Sequence, residues 1–258
     1  MTKSTEAKIL LYDIETAPNL AYTWGVYEQN VLRVVRPWYI LCFAYKWLGD
    51  TSTKVVALPD YERAYSKDPE NDYHVVKALH DLFNEADIII AHNGNNFDQK
   101  KVQARFLKHG FEPPMHYRQI DTLKEARKHF KFDSNKLNDL GVTLGLGEKV
   151  QTGGFTLWEG CMEGDEKSWS KMKRYNRQDV VLLEQVYLYL RPWIANHPNV
   201  SVLNGHGDGC PKCGSSHLQK RGVRRNKTTA YQTYQCQSCK GYCNERTAIK
   251  HEPPSFTN

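Results

Sequence analysis

Apolar positions along the chain change their spacing several times, and each change marks an element. Lys8 to Asp13 is a short apolar run that closes on an acid, the pattern of a buried strand. Trp38 to Trp47 and Thr53 to Leu58 are β-rich, and no helix-length pattern separates them, so a hairpin is predicted. Over Tyr73 to Ala86 the spacing turns helical, with Val76, Leu79, Leu82 and Phe83 on one face. Asp87-Ile88-Ile89-Ile90-Ala91 is apolar almost throughout, as in a strand covered on both faces of a sheet. Helical spacing returns from about Asp98 to His109. His116 to Asp121 is a further strand candidate that leads into a helix. A long helix is predicted from about Lys167 to Leu190, with Trp169, Met172, Val180, Leu183 and Leu190 on its apolar side. Three strands without intervening helices, then strands alternating with helices, predict an α/β domain: a mixed sheet with helices packed on it.

The pattern stops after the long helix. Pro198 to Gly209 carries three glycines and no periodicity. Residues 1–200 therefore read as one domain, 201–209 as a linker and 210–250 as a small module. The chain has 258 residues, of which 40% are hydrophobic, enough for one mid-sized core and a small appendage. No run approaches the roughly 18 apolar residues of a membrane span. The polar start, Met1 to Glu6, does not read as a signal peptide, and an intracellular, cytoplasmic protein with no membrane partner is expected.

Charge sharpens the division. From Asn204 onward there are nine Lys/Arg and three Asp/Glu, so the whole formal excess of +6 lies in the tail. A basic module beside a neutral domain suggests a polyanionic partner such as nucleic acid; a solubilising tail is the plainer alternative.

Three polar elements carry candidate chemistry. Asp13-Ile14-Glu15 closes the first strand, and positions two apart on a strand point to the same side. Both carboxylates can then face one pocket while Ile14 enters the core. Such oxygen ligands suit hard divalent cations; solvated charge at a strand end is the alternative. His92-Asn93-Gly94-Asn95-Asn96-Phe97-Asp98 follows the apolar strand directly, and Asp98 opens a helix, where capping would be its simplest role. On the long helix, Tyr175 and Asp179 stand four apart and share a face near its apolar side. An aspartate there needs a cation, whether a metal or a basic side chain.

With these three elements in this order, the chain resembles the DEDD exonuclease superfamily, which shares the ribonuclease H-like fold. Asp-x-Glu, Asn-x-x-x-Phe-Asp and Tyr-x-x-x-Asp match its three motifs, and the tyrosine is that of the DEDDy branch, which includes polymerase proofreading domains. Ile120 to Leu123 and Lys136 to Leu140 also look like the family's middle region, and the resemblance covers about Lys8 to Leu190. It implies Asp13, Glu15, Asp98 and Asp179 as ligands of two Mg²⁺ or Mn²⁺ ions, with Tyr175 assisting. The activity implied is 3′–5′ exonuclease hydrolysis that releases nucleotides, with DNA favoured over RNA and single-stranded 3′ ends as substrate. Replication or repair proteins would be the partners. Two cations roughly 4 Å apart can serve an in-line attack at phosphorus. A free phenol titrates near pH ~10, so Tyr175 is expected to position rather than to act as a base. Asn93 and Phe97 are assigned to substrate contact. A non-catalytic nucleic-acid adaptor, or a structure-specific or RNA-processing nuclease, is the alternative reading.

Between the first two motifs, Tyr22, Trp24, Tyr27, Arg33, Arg36, Trp38 and Tyr39 interleave rings with cations, which suits base stacking or ordinary packing. Gly145 to Gly154 lacks the Gly-Lys-Ser/Thr of a phosphate loop and reads as a mobile loop near the substrate.

The tail holds a stronger signal. Cys210-x-x-Cys213 and Cys236-x-x-Cys239, separated by 22 residues, have the spacing of a structural Cys₄ zinc site for one Zn²⁺. The module resembles the zinc ribbons of transposases and transcription-related proteins. The run Lys220 to Lys227 is expected at a hairpin tip, where Arg221, Arg224, Arg225 and Lys227 would touch phosphates, and the alternating Tyr231 to Tyr234 as a strand.

Overall fold

In the computed structural model, which describes residues 6–27, 29–148 and 152–249, the apolar run after Lys8 forms strand β1 (Ile9–Thr16). Ile9 to Tyr12 and Ile14 are all buried, as the absence of polar alternation requires of a central strand. Its neighbours complete a five-stranded sheet of order β5-β4-β1-β6-β7. β4 (Ile40–Trp47) and β5 (Lys54–Ala57) form the predicted hairpin, and β4 runs antiparallel to β1. β6 (Ile88–Ala91) and β7 (Arg118–Asp121) run parallel to β1. Leu11 stands opposite Ile90 and Ala91 opposite Asp121, so the parallel strands end at one edge. The mixed α/β class expected from the pattern is the one found.

Helices pack on the sheet: α1 (Glu62–Lys67), α2 (Tyr73–Glu85), α3 (Asp98–Lys108), α4 (Thr122–His129), α5 (Leu137–Thr143), α6 (Thr156–Met162) and α7 (Glu166–Leu190). Alternation along β1 assigns two of them to opposite faces. Tyr12 meets Phe83 of α2 edge-on at 5.2 Å, whereas Asp13 accepts a hydrogen bond from Asn176 of α7. A buried ionic group ties the helices to β4. Asp72 is fully buried, pairs with Arg105 and His109, and accepts the Ile40 N–H at 2.9 Å. Several donors on one carboxylate are what make such a buried charge tolerable.

The segment between β1 and β4 holds strands that the sequence pattern did not announce. It contains a two-stranded ribbon, β2 (Leu20–Tyr22) against β3 (Arg33–Arg36), with Tyr22, Trp24 and Tyr27 exposed while Tyr39 is buried. Every residue of β3 is exposed, so no alternation announces it. Part of the glycine-rich loop, residues 149–151, lies outside the described residues.

The chain divides into two units, Lys8–Tyr187 and Leu188–Asn258 with Met1–Ala7. In the second, α8 (Val200–Leu203) is a single turn capped by the Asn199 side chain, which accepts the Val202 N–H at 3.1 Å. The Ser201 hydroxyl then accepts the Gly207 and Gly209 N–H groups at 3.0 and 2.9 Å. Beyond it stands a three-stranded antiparallel sheet, order β10-β9-β8: β8 (Leu218–Arg225), β9 (Ala230–Cys236) and β10 (Tyr242–Asn244). Here one expectation is corrected. Lys220 to Arg225 belong to β8 rather than to the hairpin tip, and only Asn226 to Thr229 make the turn, closed by Asn226 N–H to Thr229 O at 2.8 Å. Charged residues are depleted from strands, so the basic run mimics a loop.

Candidate metal centre and nuclease site

β1 bulges between Glu15 and Thr16, where its pairing with β4 shifts register. Just before this irregularity, Asp13 and Glu15 share a face while Ile14, 3% exposed, enters the core. The α7 face supplies the third carboxylate. Trp169, Met172, Asn176, Asp179, Val180, Leu183 and Leu190 recur at helical spacing and are all buried. Carboxylate oxygens of Asp13, Glu15 and Asp179 lie within 4.8 Å of one another. Three acids this close repel unless a cation joins them, and an all-oxygen donor set suits Mg²⁺ or Mn²⁺.

Asp98 reaches the site from a different direction. It opens α3, is 3% exposed, and its Oδ1 faces the Ile14 N–H at 3.4 Å, across the strand segment that carries Asp13 and Glu15. It stands beside the three-carboxylate group rather than within it. Burial pushes its pKa up from 3.8 to about 6, against the lowering effect of the Ile14 N–H. Burial of this kind favours the protonated acid over the bare carboxylate.

Tyr175 lies one helical turn before Asp179. Burial first, then the negative charges of Asp179, Glu15 and Asp13, drive its phenol far above the ordinary range. It keeps its proton at neutral pH and can act as a donor, not as a base. Its ring meets Trp158 of α6 at 6.2 Å.

Two supporting residues escaped the sequence reading. Asn176 is fully buried, and its amide donates to Asp13 Oδ2 at 2.7 Å and faces Asp13 O at 3.3 Å, fixing that carboxylate. Its position, one residue after Tyr175, was the available signal. Asp121, at the end of β7, accepts the N–H groups of Asn93 and Asn95 at 2.9 and 3.2 Å and also caps α4 at Leu123 and Lys124. This clamp explains the dense polar run after β6. Asn93 has φ +65°, a left-handed conformation that asparagine tolerates better than most residues. Gly94 is required sterically, because a Cβ there would stand 2.6 Å from that of Ala91. Asn93 thus has a backbone role in turning the chain toward Asp98.

Beside the carboxylates lies a groove of about 560 Å³ whose walls include Thr16, Asn19, Trp38, Lys101, Phe155 and Trp158. The Lys101 ammonium donates to the Thr16 hydroxyl at 2.8 Å and sits 4.6 Å from the ring centres of both Trp38 and Phe97. Phe97 itself is 42% exposed.

The second donor cluster is made of sulfur. The Sγ atoms of Cys210, Cys213, Cys236 and Cys239 lie within 4.8 Å of one another. Cys210 to Cys239 and Cys213 to Cys236 are each 3.6 Å apart, far beyond a disulfide bond and suited to four thiolates around one soft cation. Among the described residues these are the two groups with metal-ligand geometry. Arg221, Arg224 and Arg225 are exposed on β8, and Lys227 stands exposed in the turn that follows.

Three carboxylates gathered from one sheet strand and one helix make a group that could hold a divalent cation. The family model described as the RNase_H superfamily matches residues 39–191, more than half of the chain, and the protein belongs to that superfamily. Among solved structures, the family B DNA polymerase from the hyperthermophilic archaeon Pyrobaculum calidifontis is similar with a TM-score of 0.55 at 16% identity. The match covers 77% of this chain and 26% of the polymerase, so the chain corresponds to about a quarter of that protein's length. At this identity the likeness concerns the fold. No curated protein matches the chain. No helix among the described residues is long and apolar enough to cross a membrane.

Proposed function

We propose that the protein is a 3′–5′ exonuclease of the DEDDy type whose ribbon adds grip on the nucleic-acid substrate. The observation that carries this reading is the meeting of Asp13, Glu15 and Asp179 within 4.8 Å, with Asp98 buried beside them. Two Mg²⁺ or Mn²⁺ ions held by these four residues would supply an activated water and stabilise the leaving 3′-oxygen.

The chain's own groups do the rest. Asn176 holds the Asp13 carboxylate in one orientation. Tyr175 offers its O–H to the attacking water or the scissile phosphate. Lys101 places a positive charge in the groove, among rings on which a terminal base can stack. DNA is the favoured substrate, in line with the DNA polymerase among the protein's structural relatives. One Zn²⁺ on the four cysteines would be structural, because four thiolates leave no open coordination position.

A 5′-labelled single strand incubated with Mn²⁺ tests the reading. A descending ladder is expected. Immediate release of labelled mononucleotide would reverse the polarity, and binding without cleavage would favour an adaptor.

A further inference from the structure

The ribbon's three-stranded sheet has two faces, and β8 sends two of its four cations to each. In β9, Tyr231, Thr233 and Gln235 point to one face and Gln232 and Tyr234 to the other. Cross-strand partners follow. Arg224 stands opposite Tyr231, Asn244 opposite Thr233 and Tyr242 opposite Gln235, so Arg224, Asn244 and Tyr242 share the first face. Lys220 opposite Tyr234 lies on the second, and so does Arg225, adjacent to Arg224.

Regular alternation from Arg224 would put Arg221 on the second face. The pairing shifts between Lys220 and Gly222, leaving Arg221 as the extra residue of a bulge, and Gly222 has φ +142°, a conformation that favours glycine. Arg221 is thereby turned to the first face, where its Nε–H donates to Gln235 Oε1 at 3.0 Å.

The result is a basic concavity around an exposed ring. Two adjoining cavities of about 570 and 500 Å³ both have Arg224, Thr233 and Tyr242 in their walls. Arg221 borders one; Arg246 and the half-covered Cys243 border the other. Among the described residues no carboxylate lines either cavity. Tyr242 is 56% exposed, which leaves a ring face open at the centre of this charge.

We infer that this face is a single-stranded nucleic-acid site, with a base stacked on Tyr242 and phosphates held by Arg221, Arg224 and Arg246. The charge is complementary to a polyanion. A ring among arginines is the arrangement that holds unpaired bases without reading sequence. The inference rests on the reading of the ribbon as a substrate grip, and it adds the face and a stacking residue.

The test compares variants of equal charge in the full-length protein. Arg221→Ala/Arg224→Ala and Lys220→Ala/Arg225→Ala each remove two cations, from opposite faces of one sheet. Binding of a fluorescent 30-mer single strand is read by anisotropy across a salt series. The first pair is expected to bind about tenfold more weakly at low salt, with the slope of log K against log salt reduced by about 1.4. The second pair should stay within about twofold of the parent, because Arg225 pairs with Ala230 on the far face, which removes Arg225 from the phosphate contacts expected of the basic run. Tyr242→Ala should cost about five- to tenfold and Tyr242→Phe almost nothing, since the ring remains. Glutamine pairs at the same positions repeat the comparison if an alanine pair does not fold. Equal losses from the two faces, or an unchanged affinity in Tyr242→Ala, overturn the inference. Cleavage of a four-nucleotide strand is followed in parallel. If the parent cleaves it while the faces behave alike, only this inference fails; if the parent neither cleaves nor binds, the nuclease reading fails with it.

Discussion

The protein presents two clusters of candidate metal ligands built in opposite ways. Asp13, Glu15 and Asp179 stand on a strand and a helix whose places are fixed by a large apolar core, including Leu10, Tyr12, Phe43, Leu79 and Phe83. In the ribbon the ligands are themselves the core: Cys210, Cys236 and Cys239 form its buried cluster, with Cys213 and Leu218 packed against them. The first site is a functional group mounted on a fold. The second is a fold mounted on its ligands. A cation at the carboxylates should therefore govern activity, and a cation at the cysteines should govern structure.

The largest expected effect follows from the ribbon. Structural zinc contributes about 10–16 kcal/mol of apparent binding free energy, which in such a module is folding free energy. Cys236→Ser, or a strong zinc chelator, should unfold the ribbon and make it the first segment cut in limited proteolysis. The 8–187 unit should keep its melting transition. A ribbon that stays protease-resistant without zinc would show that its core suffices and erase the contrast.

The next effect concerns Asp98. An acid whose folded pKa lies above its unfolded value adds no penalty when both states are protonated, below about pH 4. Above about pH 6 both states are ionised and the full penalty applies. Without divalent cations, stability should therefore fall as pH rises from 4 to 6. At about 1.4 kcal/mol per tenfold change in proton affinity, the cost is at most about 3 kcal/mol. Metal-free Asp98→Asn should gain up to this amount over the parent at pH 7, with the gain disappearing near pH 4, while its cleavage is lost. Denaturant melts at several pH values measure it, and a variant less stable than the parent at pH 7 would contradict the burial argument.

Asn176 should act through Asp13. Removing a group that orients a metal ligand typically costs ten- to a hundredfold in metal affinity or activity. Asn176→Ala should raise the Mn²⁺ concentration needed for half-maximal cleavage, and saturating Mn²⁺ should recover part of the rate. An unchanged metal requirement would reduce Asn176 to a packing residue. Tyr175→Phe should be the mildest, a few-fold to about tenfold loss in rate for one hydrogen bond. A loss as deep as an aspartate variant would give its hydroxyl a larger part.

Much of the first unit was legible in the sequence because burial imposes periodicity. Ile88-Ile89-Ile90 has the pattern of a strand covered on both faces, and the spacing from Trp169 to Leu190 that of a helix with one buried side. Asp13 and Glu15 could be placed on one side for the same reason. What stayed hidden has little burial or depends on partners far along the chain. β3 is exposed at every position, and β8 is mostly exposed and rich in cations, so neither carries an alternating pattern. Asn176 looks like an ordinary polar helix residue until Asp13, 163 positions away, is brought to it. Asp121 reads as a strand end until the backbone of Asn93 and Asn95 arrives at its oxygens. The face occupied by Arg221 depends on a bulge, which strict alternation does not foresee.

The carboxylate centre is tested most directly by titrating Mn²⁺ into the parent and into Asp179→Ala by calorimetry, with cleavage of a labelled single strand followed on the same samples. The parent should bind Mn²⁺ and cleave. Asp179→Ala should keep its melting transition, lose most of the Mn²⁺ binding and cleave at least about a thousandfold more slowly, equivalent to about 4 kcal/mol of barrier. A well-folded Asp179→Ala that binds Mn²⁺ and cleaves like the parent would contradict the assignment of this site.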